Sequence, residues 1–292
     1  MDYAVQTVYS SPGAYGWLFD ALPDDIPAVA AVIRNLMIHY RAGGIEFTGE
    51  RLAEIDNRWV STILSVDQKR NGTPLAVPRE PVDRVVGCCR DFTLLFVSAL
   101  RHKGIPARSR IGFADYFTEG FHNDHVVAEY WNGERWVLID AEMDPSRFSF
   151  DVADLPAGRF RSAAEVWLGY RSGELDGDLF GVNPDPTASL PLLGGWFIRT
   201  YLHYQLAHLN GDELLLWDVW GDMAPTLDGA DLDLTDRVAR LLVAADNGDE
   251  TAAKEAAELY RTTPALTFTG RVQTISPAVP EGPHPWTELR RP

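Results

Sequence analysis

The sequence predicts an α+β fold in which helices and strands occupy separate stretches of the chain. Residues 91–104 read "DFTLLFVSALRHKG", a segment apolar nearly all round, which predicts a buried helix. Residues 105–117 and 125–142 follow directly and carry strand signals, whereas helical patterns precede and follow this group. Helices and strands grouped in this way are typical of helices packed on an antiparallel sheet. We therefore expect a buried helix on an antiparallel sheet, followed by a mainly helical extension.

Two helices are predicted ahead of the buried one. Residues 24–40 have an acidic start, a proline in the first turn and apolar residues at helical spacing. Residues 49–70 predict a second helix, and a Pro-rich connection leads from it to Cys88 and Cys89, the chain's two cysteines. Gly104 is a good C-cap for the buried helix, which carries basic residues in its last turn.

The two strands after the buried helix predict a pairing of histidine with aspartate. Asn132-Gly133 is the strongest short hairpin signal in the chain. If these two residues form the loop, His125 lies directly opposite Asp140. Opposed residues have Cβ atoms roughly 4.5–5.5 Å apart on one face of a sheet. The hairpin therefore predicts a hydrogen bond between the imidazole and the carboxylate.

Helices dominate the predictions for the rest of the chain. They are expected over residues 191–211, 214–223, 234–248 and 249–261. Trp217 and Trp220, in the second of these, are expected to pack in the core. The last residues, 276–292, are too Pro-rich for regular structure and are expected to lie extended over the surface.

Composition excludes several classes of function. The net charge of −16 repels phosphate backbones and anionic lipids, so nucleic-acid and membrane-surface roles are disfavoured. No apolar run approaches the roughly 18 residues of a membrane span, and the N-terminus has no signal-peptide pattern. Adjacent cysteines cannot link distant parts of the chain, which agrees with a reducing compartment. We expect a cytoplasmic protein.

The cysteines lie where a thiolate is favoured. They stand at the start of the buried helix, where free N–H groups and the helix dipole lower a thiol pKa. One of them, with His125 and Asp140, would supply a nucleophile, a base and a group that orients the base. Helical periodicity leaves open whether Cys88 or Cys89 is the nucleophile.

Four blocks of sequence resemble the transglutaminase-like superfamily over about residues 80–145: "GCCRDF", "LLFVSALRHKGIPARSRIGF", "DHVVAEYW" and "RWVLIDAE". The resemblance implies a papain-like α+β fold and a catalytic cysteine two residues after Gly87, which is Cys89. His125 and Asp140 take the other triad positions, and Cys88 is then a buried neighbour.

Two positions depart from the family pattern. Val126-Val127 replaces the small residue and Trp that often follow the histidine, and Ala141 replaces the proline that often follows the aspartate. The substrate is therefore expected to differ from those of the better-known members. The resemblance implies a transglutaminase-like domain over residues 1–180, with its core at about 25–145. Residues 181–292 would form a mainly helical extension packed on it.

The resemblance implies acyl chemistry through a thioester, either hydrolysis of an amide or peptide bond or transfer of the acyl group to an amine. The substrate would be an amide- or acyl-containing small molecule or peptide, and no cofactor or metal is implied. Some transglutaminases add an indole N–H from an upstream Trp, and Trp59 is suitably placed; Asp124 could shape the rim of the site or belong to a polar loop. The alternatives are a non-catalytic interaction domain that retains the fold and a metal-dependent hydrolase using "HNDH" with Cys89 and Asp140.

Overall fold

The computed structural model describes residues 1–185, 191–281 and 283–289, and a five-stranded sheet lies at its centre. The helices are α1 (Ile26–Leu36), α2 (Gly49–Leu52), α3 (Val60–Arg70), α4 (Cys89–His102), α5 (Ala163–Ser172), α6 (Gly195–Leu209), α7 (Leu232–Asp246) and α8 (Glu250–Thr262). The strands are β1 (Met37–His39), β2 (Val85–Gly87), β3 (Ala107–Thr118), β4 (Phe121–Trp131), β5 (Trp136–Ile139), β6 (Phe160–Ser162), β7 (Phe180–Gly181), β8 (Asp218–Val219), β9 (Arg271–Thr274) and β10 (Trp286–Glu288).

The central sheet has the strand order β5-β4-β3-β6, and β7 adds to the start of β4 in parallel. Its two faces are both covered. Val126 and Ala128 on β4 belong to the main hydrophobic core, whereas Val127 belongs to a second cluster with Leu155 and Phe160. This split follows from the alternation of side chains along a strand.

Helix α4 is the buried helix predicted from the sequence, and that prediction is confirmed. Every residue from Cys89 to Arg101 is buried. The Thr93 hydroxyl donates a hydrogen bond of 2.9 Å to the Val126 carbonyl and so ties the helix to β4. The α+β arrangement of a buried helix on an antiparallel sheet is therefore what the chain adopts.

The two helices predicted ahead of α4 are shorter than expected. The first ends at Leu36, and the chain continues as β1, which pairs in parallel with β2 just before α4. The predicted helix over residues 49–70 is interrupted at Asn57, whose backbone is extended, so that α3 begins only at Val60. Helix α1 ends where the chain begins to pair with β2, and local helical periodicity does not indicate such long-range pairing.

The hairpin register differs from the predicted one. The turn does not use Asn132-Gly133 as a two-residue loop, because Trp131 pairs with Trp136 across four intervening residues. The Asn132 side chain accepts from the N–H groups of Glu134 and Arg135 and stabilises this longer loop. The register is shifted by two residues, and a shift of two keeps side chains on the same face.

The C-terminal part, meaning the described residues from 181 onward, combines helices with a small sheet. Helices α6, α7 and α8 form where helices were predicted. The predicted helix over residues 214–223 is wrong: this stretch contains β8, which pairs with β9. The Pro-rich tail is not wholly irregular either, since β10 pairs with β9. Among the described residues, no helix has the length and apolar character needed to cross a membrane.

Buried charges join the N-terminal and C-terminal parts. The Arg101 guanidinium lies 3.0 Å from the Glu213 carboxylate, with side-chain exposures of 1% and 0%. Arg58 makes two hydrogen bonds with the buried Asp218 carboxylate, at 2.7 and 2.9 Å. The main hydrophobic core also contains residues from both parts. This packing brings C-terminal elements to the start of α4.

Candidate active site

The junction between β2 and α4 fixes the position of Cys89. Gly87 has no room for a side chain, since a Cβ there would lie 2.6 Å from the Met37 Cε atom and 2.9 Å from the Asp91 Oδ2 atom. Cys88 is the N-cap, and its backbone N–H donates to the Asp91 carboxylate at 2.9 Å. Cys89 is therefore the first helical residue, a position whose N–H has no acceptor within the helix.

Both thiols are buried, and Cys89 is 6% exposed. A hydrogen bond with Cys88 and burial raise the pKa of the Cys89 thiol well above its usual value, and the carboxyl groups of Asp124 and Glu142 add to the rise. The expected lowering of the thiol pKa is therefore wrong. The charge of a thiolate at the helix N-terminus would be opposed by these acidic neighbours and by the loss of water, so the resting group is a thiol.

His125 and Asp140 form the predicted pair despite the shifted register. The imidazole Nε2 atom lies 2.8 Å from the Asp140 Oδ2 atom, and the side chains are 4% and 1% exposed. The Tyr116 hydroxyl donates to the same oxygen at 2.7 Å, and the Glu142 backbone N–H donates to the other oxygen at 3.1 Å. The carboxylate is thus held by three donors, and Nδ1 is the imidazole nitrogen left for proton transfer.

Each partner shifts the pKa of the other. Burial lowers the pKa of His125, but the charge and hydrogen bond of Asp140 outweigh it and raise that pKa above its usual value. Burial raises the pKa of Asp140, but His125 and the Tyr116 hydroxyl outweigh it and lower that pKa. The pair favours imidazolium beside carboxylate, which is the arrangement that stabilises a proton taken up by His125.

Cys89 and His125 line one cavity of about 810 Å³. Asp124 also lines it and accepts a hydrogen bond from the Tyr201 hydroxyl of α6. Asp140 lies behind His125 and is not among the lining residues. The structure therefore places Cys89 and His125 on one cavity, with Asp140 hydrogen-bonded to His125.

Trp59 is not at this site. It precedes α3 and packs, partly buried, against the main hydrophobic core, and it is not among the described residues that line the cavity. The expectation that its indole N–H contributes to the site is therefore corrected. The backbone carbonyls of Asn57 and Arg58 accept from Arg90, but the Trp59 side chain packs against the core instead of the cavity.

His39 lies at the site and was not singled out from the sequence. It is in register with Gly87 across the β1–β2 pair and lines the cavity. Its Nδ1 atom accepts from the N–H groups of Arg41 and Ala42, at 3.1 Å each, so its proton is on Nε2. Burial, with Arg41 and His125 nearby, lowers the pKa of His39 to about 3. His39 is thus a neutral side chain with a donor on Nε2.

Glu142 is a second site residue that sequence analysis missed. It lines the cavity, and its buried Oε2 atom has no hydrogen-bond partner among the described residues. Burial raises the pKa of Glu142 to about 8, against a lowering by His125. Glu142 lies in a bend after the end of β5, where its N–H turns back to Asp140, so strand alternation could not have indicated its position.

The C-terminal part supplies much of the cavity wall. Trp217, expected in the core, lines the cavity, and its indole N–H donates to the Asp56 carboxylate at 2.8 Å. Trp220 is 1% exposed and packs in the core as expected. Within residues 1–185, 191–281 and 283–289, no group of three or more His, Cys, Asp or Glu side chains is arranged to hold a metal ion.

Comparison with known proteins shows a family resemblance in the segment that holds this site. A sequence model of the transglutaminase-like superfamily matches residues 48–141, the segment that contains Cys89, His125 and Asp140. No curated protein matches the chain. A solved structure of a candidate cysteine protease from Cytophaga hutchinsonii aligns with 19% identity and a TM-score of 0.31, over 55% of this chain and 49% of that one. The chain thus spans about half the length of that protein.

The matched segment runs from the residue before α2 to the residue after Asp140 and so contains Cys89, His125 and Asp140. The fold agrees, with a cysteine at the start of a buried helix packed against an antiparallel sheet. The similarity to the transglutaminase-like superfamily therefore covers residues 48–141, about a third of the chain.

Proposed function

We propose that the protein is a cysteine-dependent enzyme that forms a thioester between Cys89 and the acyl group of an amide substrate. The observation that carries the proposal is the shared cavity of Cys89 and His125, with Asp140 bonded to the imidazole at 2.8 Å. A nucleophile, a base and a group that orients the base are the parts that covalent acyl transfer requires.

The proton states define the order of steps. Because the Cys89 pKa is raised, the thiol gives its proton to His125 as sulfur attacks the carbonyl carbon. The tetrahedral intermediate then collapses: the C–N bond breaks, and the leaving amine takes the proton from His125. Water or an amine next attacks the thioester, again losing a proton to His125, and the Cys89 sulfur leaves and is reprotonated.

We assign two donors to the oxyanion of the tetrahedral intermediate, both from residues that line the cavity. One is the Cys89 backbone N–H at the helix N-terminus. The other is the Nε2–H of His39, whose tautomer is fixed by two backbone donors to Nδ1. In such a site, one donor contributes roughly 3–4 kcal/mol of transition-state stabilisation.

Turnover of amides by three proteins tests the proposal. Wild type, Cys89→Ala and Cys88→Ala are incubated with a panel of p-nitroanilides, with and without hydroxylamine as an acceptor. We expect release of nitroaniline by wild type and by Cys88→Ala, and none by Cys89→Ala. Hydroxamate formed in proportion to hydroxylamine would identify an acyl-enzyme open to amines, whereas free acid alone would identify a hydrolase. Activity retained by Cys89→Ala would contradict the proposal.

A further inference from the structure

The cavity beside Cys89 extends well beyond the triad, and its composition points to a class of substrate. We propose that the acyl donor carries an extended apolar group, an alkyl chain or an aromatic ring system, which fills this cavity while its carbonyl carbon meets Cys89. The acyl chemistry in this inference rests on the proposed function. The apolar binding site is argued from the cavity alone.

Charged side chains are confined to the part of the cavity near Cys89. Asp124 and Glu142 lie close enough to raise the pKa of the Cys89 thiol, and Arg41 lies close to both Asp124 and Cys89. Among the described lining residues, every one that follows Glu142 in the chain is uncharged. The chain has a net charge of −16, yet this part of the cavity wall has no carboxylate among its described residues.

Three segments of the C-terminal part contribute most of the uncharged wall. Helix α6 contributes Trp196 and Thr200, the stretch before β8 contributes Leu216 and Trp217, and residues 273–280 close the remaining side. Sites for small molecules have volumes of about 300–1,000 Å³ and mostly apolar walls. The cavity here, at about 810 Å³, is large enough for a medium-length acyl group as well as the amide.

The cavity also carries exposed apolar side chains. Phe117, Leu192 and Ile275 are 42%, 43% and 49% exposed, and all three line the cavity. A single exposed apolar residue is ordinary, but several that converge on one concave surface mark a binding site. An apolar ligand would cover this surface, whereas a charged acyl group would find no partner of opposite charge along the uncharged wall.

Two substitutions with opposite effects on cavity size test the inference. Thr200→Trp narrows the cavity and Trp196→Ala widens it. The substrates are straight-chain acyl p-nitroanilides from acetyl to dodecanoyl, with a succinyl derivative as the charged member. A matched control is Trp17→Ala, because Trp17 is 62% exposed and does not line the cavity.

For wild type and the control, we expect kcat/KM to rise about fourfold per added methylene until the chain fills the cavity. Thr200→Trp should move the preferred chain to a shorter length, and Trp196→Ala should move it to a longer one. A loss of folding would lower kcat/KM for all donors equally and would not move the preferred length. A rate that is independent of chain length, or highest for the succinyl donor, overturns the inference.

Binding to Cys89→Ala separates the two proposals. Calorimetric titration of this variant with octanamide and with acetamide needs no turnover. Binding of octanamide at least about 100-fold tighter than acetamide supports the apolar site, even if no donor is turned over and the proposed function fails. Equal affinity for the two amides overturns the apolar site, whatever the rates of turnover.

Discussion

At the scale of single residues, the site depends on how firmly His125 is held. Asp140 accepts from His125, from the Tyr116 hydroxyl and from the Glu142 backbone N–H, which leaves its carboxylate little freedom. The raised pKa of His125 follows from this contact. Since the raised pKa keeps Cys89 a thiol, the proposed mechanism requires the neutral imidazole, the form that can accept the thiol proton.

Asp140→Asn should change both the rate and its pH dependence. In wild type, activity rises as His125 loses its proton, so the acid limb of kcat/KM lies above the usual histidine pKa of 6.5. Without the carboxylate charge, that pKa falls and the limb moves to lower pH. The rate should fall by roughly 10²–10⁴ because the orientation of the imidazole and the stabilisation of imidazolium are lost. Rates of p-nitroanilide turnover between pH 5 and 9 measure both effects, and an unmoved limb would contradict this assignment.

Glu142→Gln should alter the pH dependence of stability. Burial raises the pKa of Glu142 from 4.5 to about 8 in the folded protein. Between these values the folded protein holds a proton that the unfolded chain releases, so wild-type stability falls as pH rises, by up to about 1.4 kcal/mol per pH unit. Gln cannot lose a proton and removes this contribution. Urea unfolding of both proteins at pH 5, 6, 7 and 8 should therefore show that the variant becomes more stable relative to wild type as pH rises. A difference in free energy of unfolding that is the same at every pH would contradict the raised pKa.

At the scale of elements, the strands next to His125 are packed so closely that an added side chain would not fit between them. Gly112 on β3 is in register with His125 on β4 and with Ser162 on β6. A Cβ at Gly112 would lie 2.0 Å from the Arg161 carbonyl oxygen. Since this oxygen belongs to the backbone, β3 and β6 could not keep their present spacing.

Gly112→Ala should lower the free energy of unfolding by about 1–3 kcal/mol, because overpacking forces the strands apart. Amide turnover should fall as well, since displacing β3 would disturb its pairing with β4 at His125. Gly16→Ala is the control: a Cβ there would lie 3.6 Å from its nearest neighbour, an ordinary contact. Chemical unfolding of the two variants compares them, and equal stabilities would contradict the packing described at Gly112.

The elements also show how far sequence reasoning reaches. The buried helix, the hairpin and the histidine–aspartate contact were predictable, because periodicity, a turn signal and strand alternation are local properties. The register was mispredicted by two residues, since the side chain of Asn132 stabilises a longer loop. His39 had no local signal, because its place beside Gly87 depends on pairing across about fifty residues of chain.

At the scale of the whole molecule, the C-terminal part is joined to α4 by buried charges. Glu213 forms an ion pair with Arg101, and its backbone carbonyl accepts from Arg90, the residue next to Cys89. The sequence predicted that the extension would pack on the core, but not the contacts that Glu213 makes with Arg90 and Arg101. Long-range packing of this kind leaves no periodic pattern in the chain.

Glu213→Ala should destabilise the whole protein by about 3–5 kcal/mol, because it leaves Arg101 buried without its carboxylate. Glu255→Ala is the matched control. It breaks the Arg237–Glu255 pair, whose side chains are 54% and 42% exposed, and should change stability by no more than about 1 kcal/mol. Thermal unfolding should show one transition that moves down for the first variant only. Similar effects of the two substitutions would contradict the joining role of Glu213.

The most direct test of the central claim is to locate the acyl group on the enzyme. Wild type is mixed with octanoyl p-nitroanilide and quenched in acid within seconds. The intact mass is measured by mass spectrometry, and the modified residue is located by peptide mapping. We predict an added octanoyl mass on the peptide containing Cys88 and Cys89, retained in Cys88→Ala and absent in Cys89→Ala. An adduct that persists in Cys89→Ala would contradict the claim that Cys89 is the nucleophile.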